Sequence, residues 1–312
     1  MTKLAFIFPG QGSQEIGMGK ALAEAFPAAR EVFETVDEAL GQKLSDLMWN
    51  GSIEELTLTA NAQPALMAHS LAAMRALEAA FGISAKDAAF VAGHSLGEYS
   101  ALCAAGALGL TETARLLRIR GEAMQAAVPA GEGAMAALIG VDLEAAQKAV
   151  EAAPGAGVCE IANDNAPGQV VISGEKARVE AVCAGAKQFG AKLARLLPVS
   201  APFHSSLMQP AAEVMAKALA EAEIAAPKVP LVANITAQET VSPEEIRDLL
   251  VRQVTGRVRW TESVAYMAEK GCEKFVELGA GKVLAGLVKR IAKDAAVISV
   301  GEPADIEAFV KF

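Results

Sequence analysis

Short apolar runs alternate with longer stretches of helical spacing through the first part of the chain. The runs 4–8 and 88–92 are bounded by Gly, Pro or polar residues, which is typical of buried strands. Helices are predicted at 19–40, 64–80 and 111–128, with Pro64 in the first turn of the second one. Because strands alternate with helices, we expect an α/β fold whose parallel sheet is covered by helices on both faces.

A different order is found between residues 128 and 199. Strands are predicted at 134–141, 158–162, 169–173 and 192–198, and helices at 143–153 and 176–189. The order β-α-β-β-α-β is that of a small ferredoxin-like module. We therefore predict that 128–199 form a ferredoxin-like α+β subdomain, inserted into a catalytic domain made of 1–127 and 200–312.

Composition and charge exclude several classes of protein. Of the 312 residues, 53% are hydrophobic, which excludes intrinsic disorder. The net charge of −9 has the opposite sign to that of proteins that track nucleic acid, so we expect no nucleic-acid partner. Neither a secretory signal nor an apolar run of about 18 residues is found. We therefore expect a cytoplasmic protein without a membrane segment.

No metal or cofactor is predicted. The four cysteines form no CxxC pair, so neither a zinc site nor a disulfide framework is expected. The segment 9–14 fails as a dinucleotide fingerprint, because Glu15 stands where the third glycine belongs. The segment 279–282 fails as a phosphate loop, because Val276 and Val283 replace required Gly and Ser/Thr residues.

The strongest local signal is GHSLG at 93–97, a G-x-S-x-G pattern between an apolar strand and a helix. In this context two glycines let strand and helix approach closely, and the hydroxyl of Ser95 stands exposed above the sheet. The start of the following helix supplies amide donors where an oxyanion would form. The alternative is an ordinary helix-capping serine, but the strand and helix around the motif favour a nucleophile.

A nucleophilic serine needs a base, and the chain has three histidines. His69 is expected in the middle of a helix as a core residue, and His94 adjoins the serine and should point away from it. His204 remains, in a loop after the predicted insertion, where it can reach Ser95. Asp142 and Asp164 lie within the insertion, so no acidic third member is evident.

The first loop and one arginine complete the candidate residues. The amides of Gln11 and Leu96 are natural donors to an oxyanion, since both follow predicted strands. Arg120 shares a helical row with apolar residues, whereas Arg115 and Arg118 have acidic neighbours at helical spacing. Arg120 must therefore find a distant carboxylate, which belongs either to the protein or to a ligand. The residue pattern does not decide between these two.

Seven segments together resemble the family of discrete bacterial malonyl-CoA:acyl carrier protein transacylases. They are FPGQGSQ at the start, GHSLGEYSAL around Ser95, RGEAMQ around Arg120, NDNAPGQVVISG at 163–174, SAPFHSSLM around His204, VRQVTGRVRWTESV at 251–264 and ELGAGKVLAGLVKRI at 277–291. They run in collinear order over essentially the whole chain. The resemblance implies an α/β-hydrolase-like core with a parallel sheet and a ferredoxin-like insertion.

The resemblance also implies a reaction. A malonyl group would pass from malonyl-CoA to Ser95, and then to the phosphopantetheine thiol of holo acyl carrier protein, for use in fatty acid synthesis. His204 would be the base, Arg120 would bind the malonyl carboxylate, and the amides of Gln11 and Leu96 would hold the oxyanion.

Two further residues are implied by the resemblance alone. Gln253 matches a position whose backbone carbonyl orients the histidine, which would replace an acidic residue. Phe203 matches a pattern of malonyl selectivity, since its ring would crowd a methyl branch.

Charge along the chain suggests where an acidic carrier protein docks. Residues 247–293 carry ten Lys or Arg and five acids, so this stretch is +5 and the remainder −14. Such a local field can steer an acidic partner to an acidic protein. We predict docking at some of Lys282, Lys289, Arg290 and Lys293, on a chain expected to be a monomer.

Two other functions share these features. One is a serine esterase or thioesterase with the same turn around Ser95. The other is a scaffold that binds acyl carriers through a degenerate site, against which the presence of Ser95, His204 and Arg120 argues.

Overall fold

Strand β1 (Lys3–Phe8) is buried on both faces and sets the arrangement of the main sheet. In the computed structural model, which describes residues 3–199, 201–310 and 312, its side chains alternate between two apolar clusters. Phe6 and Phe8 pack in one cluster, and Ala5 and Ile7 in the other. A strand buried on both faces is typical of a parallel sheet between layers of helices.

The other strands and the helices have the following bounds. The strands are β2 (Phe90–Gly93), β3 (Gly133–Ile139), β4 (Cys159–Ala166), β5 (Gln169–Glu175), β6 (Leu193–Leu196), β7 (Leu231–Val232), β8 (Glu239–Thr240), β9 (Val258–Arg259), β10 (Cys272–Leu278) and β11 (Ala296–Val300). The helices are α1 (Lys20–Ala25), α2 (Pro27–Leu40), α3 (Leu44–Asn50), α4 (Ile53–Thr57), α5 (Thr59–Phe81), α6 (Gly97–Ala104), α7 (Leu110–Ala126), α8 (Leu143–Ala152), α9 (Lys176–Gly185), α10 (Gln209–Glu221), α11 (Pro243–Gln253), α12 (Trp260–Glu269), α13 (Val283–Ile291) and α14 (Pro303–Phe309).

Six strands form the main sheet, in the order β11-β10-β1-β2-β7-β8. Neighbouring strands pair in parallel except β8, which is antiparallel to β7. The carboxyl ends of β1, β2 and β7 therefore lie at the same edge of the sheet, so the loops that follow them are neighbours. In open α/β sheets this is the edge where ligands bind.

A second sheet has the order β6-β3-β5-β4-β9. Its first three pairings are antiparallel, and β9 joins β4 in parallel through Val258 and Asn163. Helices α8 and α9 pack against it around a separate apolar cluster. The strands from β3 to β6 follow the predicted order with its two helices. The bounds 128–199 and the ferredoxin-like assignment of this segment stay predictions, and Ser200 lies outside the described residues.

The expected α/β class with a parallel sheet is confirmed, but two helices differ from the prediction. The helix predicted at 19–40 is divided into α1 and α2 at Phe26, whose extended backbone is typical of a residue before proline. Pro64 lies inside α5 instead of in its first turn, because the helix begins earlier, at Thr59. Thr59 and Asn61 are buried there, so tertiary contacts support a turn that the apolar pattern does not indicate.

Among the described residues, no helix combines the length and the apolar character needed to cross a membrane.

Candidate active site

Ser95 lies in a sharp turn between β2 and α6. Its backbone φ of 54° is in the left-handed region, which is uncommon for a residue other than glycine. A Cβ atom at Gly93 would overlap the backbone of Gly97, and one at Gly97 would overlap the carbonyl of Phe8. Strand, turn and first loop can therefore approach this closely only because both flanking positions are glycine.

His204 is hydrogen-bonded to Ser95, with 2.7 Å between Nε2 and Oγ. Its Nδ1 lies 2.9 Å from the backbone oxygen of Gln253 and 3.1 Å from that of Gly256. Both of these groups are acceptors, so Nδ1 carries the proton and Nε2 is free to accept from the serine hydroxyl. Backbone carbonyls thus occupy the place that a carboxylate holds in many serine enzymes.

Burial keeps the imidazole of His204 neutral. The residue is 3% exposed, and this desolvation, together with the nearby positive charge of Arg120, lowers its pKa to about 3. The two backbone acceptors oppose that effect. At neutral pH the ring is therefore in the form that can take a proton.

Arg120 is 1% exposed and reaches the serine from helix α7. Its Nη2 lies 3.3 Å from Ser95 Oγ and donates to the side-chain oxygen of Gln253 at 2.9 Å. Its Nη1 donates to the side-chain oxygen of Gln63 at 2.7 Å, and Nε has no partner among the described residues. The direct hydrogen-bond partners of this buried cation are thus neutral groups, and no carboxylate of the described residues touches it. This favours the second of the two alternatives, a carboxylate that belongs to a ligand.

The first loop packs against the turn around Ser95. The amide of His94 donates to Phe8 O at 3.0 Å, and a Cβ at Gly10 would come within 2.7 Å of His94 O. Among the groups that the structure describes, neither the amide of Gln11 nor that of Leu96 has a hydrogen-bond partner. Two free amides at adjoining strand ends are an arrangement that can receive an oxyanion.

The side chains of Asn234 and Gln253 are hydrogen-bonded to the backbone of the turn around Ser95. Asn234 follows β7, accepts the amide of Ser95 at 2.8 Å on Oδ1 and donates Nδ2 to Gly93 O at 2.7 Å. Gln253 donates Nε2 to Ser95 O and to Glu98, at 2.9 Å each. The backbone and side chain of Gln253 thus contact His204, Arg120 and Ser95 at the same time.

Comparison with known proteins agrees with this geometry. The sequence profile of the family described as acyl transferase domain matches residues 5–304. The chain is 46% identical over 312 residues to the malonyl CoA-acyl carrier protein transacylase of Bacillus subtilis. This alignment covers 100% of this chain and 97% of that relative. The chain belongs to the malonyl-CoA:acyl carrier protein transacylase family.

Solved structures of this family superpose on the whole chain. The acyl-carrier-protein S-malonyltransferase of Bartonella henselae has a TM-score of 0.96 and 57% identity, with 99% of this chain and 98% of that one covered. A malonyl-transacylase in complex with a type II PKS acyl-carrier protein has a TM-score of 0.96 and 41% identity, with 99% of each chain covered. This chain is thus an acyltransferase enzyme with the fold of these relatives.

The other two histidines of this acyltransferase, and Phe203, make contacts away from Ser95 Oγ. His94 bonds Asn165 Oδ1 at 2.8 Å through Nε2 and packs edge-on against Trp260. His69 is buried and bonds Gly301 O at 2.9 Å. Phe203 is 7% exposed and packs in the larger apolar cluster beside His204.

Three residues of the site were missed by the sequence analysis. The predicted site does not include Gln63, Asn234 or Glu98. Glu98 stands inside the quoted GHSLGEYSAL segment. Asn234 follows a two-residue strand, which is too short to give a periodic signal. Arg118 donates to Asn61 and Gln42, and not to an acidic neighbour on its own helix. These tertiary hydrogen bonds exist beside the attraction of Glu122, which stands four residues later on the same helix.

We expect His204→Gln to reduce the loss of stability in mild acid. An ordinary histidine, with a pKa near 6.5, takes up a proton in the unfolded chain as pH falls, while the buried ring stays neutral. The wild-type protein therefore loses stability below about pH 6.5, whereas glutamine does not titrate. Between pH 7.5 and 5.5 the unfolding free energy should fall by about 1 kcal/mol less in the variant.

Urea unfolding at the two pH values measures this difference. His69 and His94 are present in both proteins, so their own titration cancels. Equal pH slopes for the two proteins would contradict the burial of a neutral imidazole.

Proposed function

We propose that this chain transfers the malonyl group from malonyl-CoA to the phosphopantetheine thiol of acyl carrier protein, supplying extender units for fatty acid synthesis. One observation carries the proposal: Ser95 Oγ lies 2.7 Å from His204 Nε2 and 3.3 Å from Arg120 Nη2. A nucleophile is thus joined to a base and to a buried cation that fits a carboxylate. The relatives of this chain carry names that state the same reaction.

The first half-reaction forms an acyl-serine. His204 Nε2 takes the proton from Ser95 Oγ as this oxygen attacks the thioester carbonyl of malonyl-CoA. The amides of Gln11 and Leu96 donate to the oxyanion of the tetrahedral intermediate, where the loss of one donor typically costs about 3 kcal/mol. The intermediate collapses, the carbon–sulfur bond breaks, and coenzyme A leaves with the proton held by His204.

The second half-reaction reverses the acylation of Ser95, with the phosphopantetheine thiol in place of coenzyme A. The phosphopantetheine thiol of the carrier protein gives its proton to His204 and attacks the malonyl-serine. The oxygen of Ser95 then leaves and regains the proton. Gln253 keeps the imidazole in the required tautomer through its backbone carbonyl in both halves.

Arg120 selects and fixes the acyl group in this proposal. Its planar guanidinium binds a carboxylate through two parallel bonds, which also sets the pose of the thioester. A neutral acetyl group offers no carboxylate to the buried cation, and it is therefore discriminated against. Phe203, buried next to His204, would crowd a methyl branch on the acyl group.

We propose that the carrier protein docks at some of Lys282, Lys289, Arg290 and Lys293. All four are exposed on α13 or beside it. Lys282 ends the loop after β10, and Gly281 in that loop lies beside Ser13 of the first loop, so the patch begins close to the candidate oxyanion amides. Arg290 also donates to Pro167, in the turn after β4, and to Gln169, the first residue of β5. The monomeric state and the cytoplasmic location stay predictions.

Mixing the protein with malonyl-CoA should give a malonyl adduct on Ser95 that persists in water. Adding holo carrier protein should remove the adduct, because the thiol is the acceptor that the second half-reaction needs. Intact-mass spectrometry follows both steps, and Ser95→Ala should give no adduct. Rapid release of free malonate without carrier protein would instead indicate a hydrolase.

Arg120→Ala should slow acylation by malonyl-CoA about 100-fold or more, since charge-assisted bonds to a carboxylate are lost. Acylation by acetyl-CoA should change much less, because that group makes no such bonds. Stopped-flow or quenched mass measurements compare the two rates, and Arg115→Ala, an exposed change on the same helix, is the control. Equal losses with both substrates would exclude the carboxylate role.

Reversing Lys289 and Lys293 to Glu should raise the KM for the carrier protein about tenfold. Arg290 is left intact in this test because it also holds the turn after β4. Acylation by malonyl-CoA and hydrolysis of the acyl-serine should not change, since neither involves the carrier protein.

The matched control reverses Lys187 and Lys217, which are exposed elsewhere and alter the net charge equally. If the control raises the KM as much, total charge and not this patch governs docking.

A further inference from the structure

Glu98 is a buried carboxylate in the catalytic centre to which the proposed reaction gives no role. It is 1% exposed and lies in the first turn of α6, one turn after Ser95. The buried Glu277, by contrast, has a structural explanation, since it accepts the amides of Leu284 and Ala285 at the start of α13.

Hydrogen bonds join Glu98, through two intermediate residues, to Arg120, His204 and Ser95. Its Oε2 accepts from Gln253 Nε2 at 2.9 Å and from the amide of Asn234 at 3.1 Å. Gln253 in turn accepts from Arg120 and holds His204, while Asn234 holds the amide of Ser95. Glu98 therefore contacts no reacting atom itself and acts through these two residues.

The chemistry of the contact fixes which way the Gln253 amide faces. An ionised carboxylate only accepts hydrogen bonds, so the NH₂ group of Gln253 must face Glu98. The side-chain oxygen of Gln253 is then directed to Arg120, which can only donate. A flipped amide would set two acceptors against each other on one side and two donors on the other.

Glu98 and Arg120 also attract each other as opposite charges. Arg120 and Glu98 are each 1% exposed and are bridged by the Gln253 amide. Their attraction lowers the pKa of Glu98 and raises that of Arg120, although burial acts more strongly on each in the opposite direction. With both ionised, the pair is neutral, and a substrate carboxylate would leave one uncompensated negative charge in a desolvated site.

We propose that Glu98 is a positioning residue for acyl-group recognition: it fixes the Gln253 amide, balances Arg120 in the free enzyme, and takes up a proton from solvent when the malonyl carboxylate binds. The proton returns to solvent when the malonyl group leaves. This inference rests on the proposed function, because it requires an acyl group that carries a carboxylate.

The groups around Glu98 make it the residue that changes charge near neutral pH. Burial raises its pKa to about 7. Burial also raises the pKa of Tyr99 beside it on α6 and lowers those of His204 and His94, so these three are neutral there. Arg120, from α7, stays charged.

The sign of the pH effect follows from linkage. Below pH 7 Glu98 is already protonated, and the malonyl group binds without proton uptake. Above pH 7 binding must also bring a proton, so affinity falls with rising pH, at most tenfold per pH unit. A glutamine at position 98 keeps an oxygen for Gln253 and Asn234 but cannot titrate.

The test measures the KM for malonyl-CoA in acylation of Ser95 from pH 5.5 to 8.5, relative to that for acetyl-CoA. Both substrates carry the same coenzyme A, so its own titration cancels. In the wild type this ratio should rise about tenfold between pH 6.5 and 8. Glu98→Gln should keep the ratio constant, and Glu122→Gln, an exposed change on α7, should behave as wild type.

A pH-dependent ratio in Glu98→Gln equal to that of the wild type overturns the inference. If that variant does not fold, proton uptake on mixing wild-type protein with malonyl-CoA at pH 7.5, followed with a pH indicator, decides the matter. Up to one proton per chain is expected, and none with acetyl-CoA; no uptake overturns the inference. If the wild type forms no malonyl adduct at all, the proposed function itself fails, which is a different outcome.

Discussion

A guanidinium that is 1% exposed destabilises a fold unless its surroundings compensate its charge. The direct hydrogen bonds of Arg120 compensate its charge only in part: two amide oxygens and a serine hydroxyl accept from it, and one of its donors has no partner among the described residues. The carboxylate of Glu98 acts on it from a distance, across the Gln253 amide. The site is therefore organised around a positive charge that an incoming carboxylate would stabilise. The same charge, together with burial, keeps His204 neutral, so the proposed recognition of the acyl group and the protonation state of the proposed base depend on one residue.

Two of the three described non-glycine residues with a positive φ lie at the same place, and the third is Ala237. Ser95 and His204 both have a positive φ, near 55°, a conformation that typically costs about 1–3 kcal/mol for each residue. Ser95 is held there by the close packing of Gly93 against Gly97 and by the Asn234 side chain. His204 is held by two backbone carbonyls from the end of α11 and the loop after it. Rigid elements on both sides thus preorganise the pair before substrate arrives.

The features of the site that depend on a short-range pattern of residues could be predicted from the sequence. The strand before Ser95, the glycines of its turn and the lone loop histidine are local features, and the geometry agrees with each. Asn234 and Gln253 bring their side chains in from separate elements after long connections, so no spacing in the chain brings them to Ser95. Strand β4 is similar: it extends through the polar residues 163–165 to Ala166, because pairing with β5 and β9 replaces apolar alternation.

Among the described residues, backbone carbonyls and not a carboxylate face His204 Nδ1, which fits the chemistry of the proposed reaction. A thiol with an ordinary pKa near 8.5 is a far better leaving group than the amine of a peptide, so expulsion of coenzyme A needs little help from a general acid. A carboxylate beside Nδ1 would raise the pKa of His204 and favour the imidazolium, which cannot accept the proton of Ser95. Two backbone carbonyls instead fix the tautomer without adding charge. The imidazole thus stays neutral, as both proposed half-reactions require, and Arg120 is the cation that we propose for the acyl group.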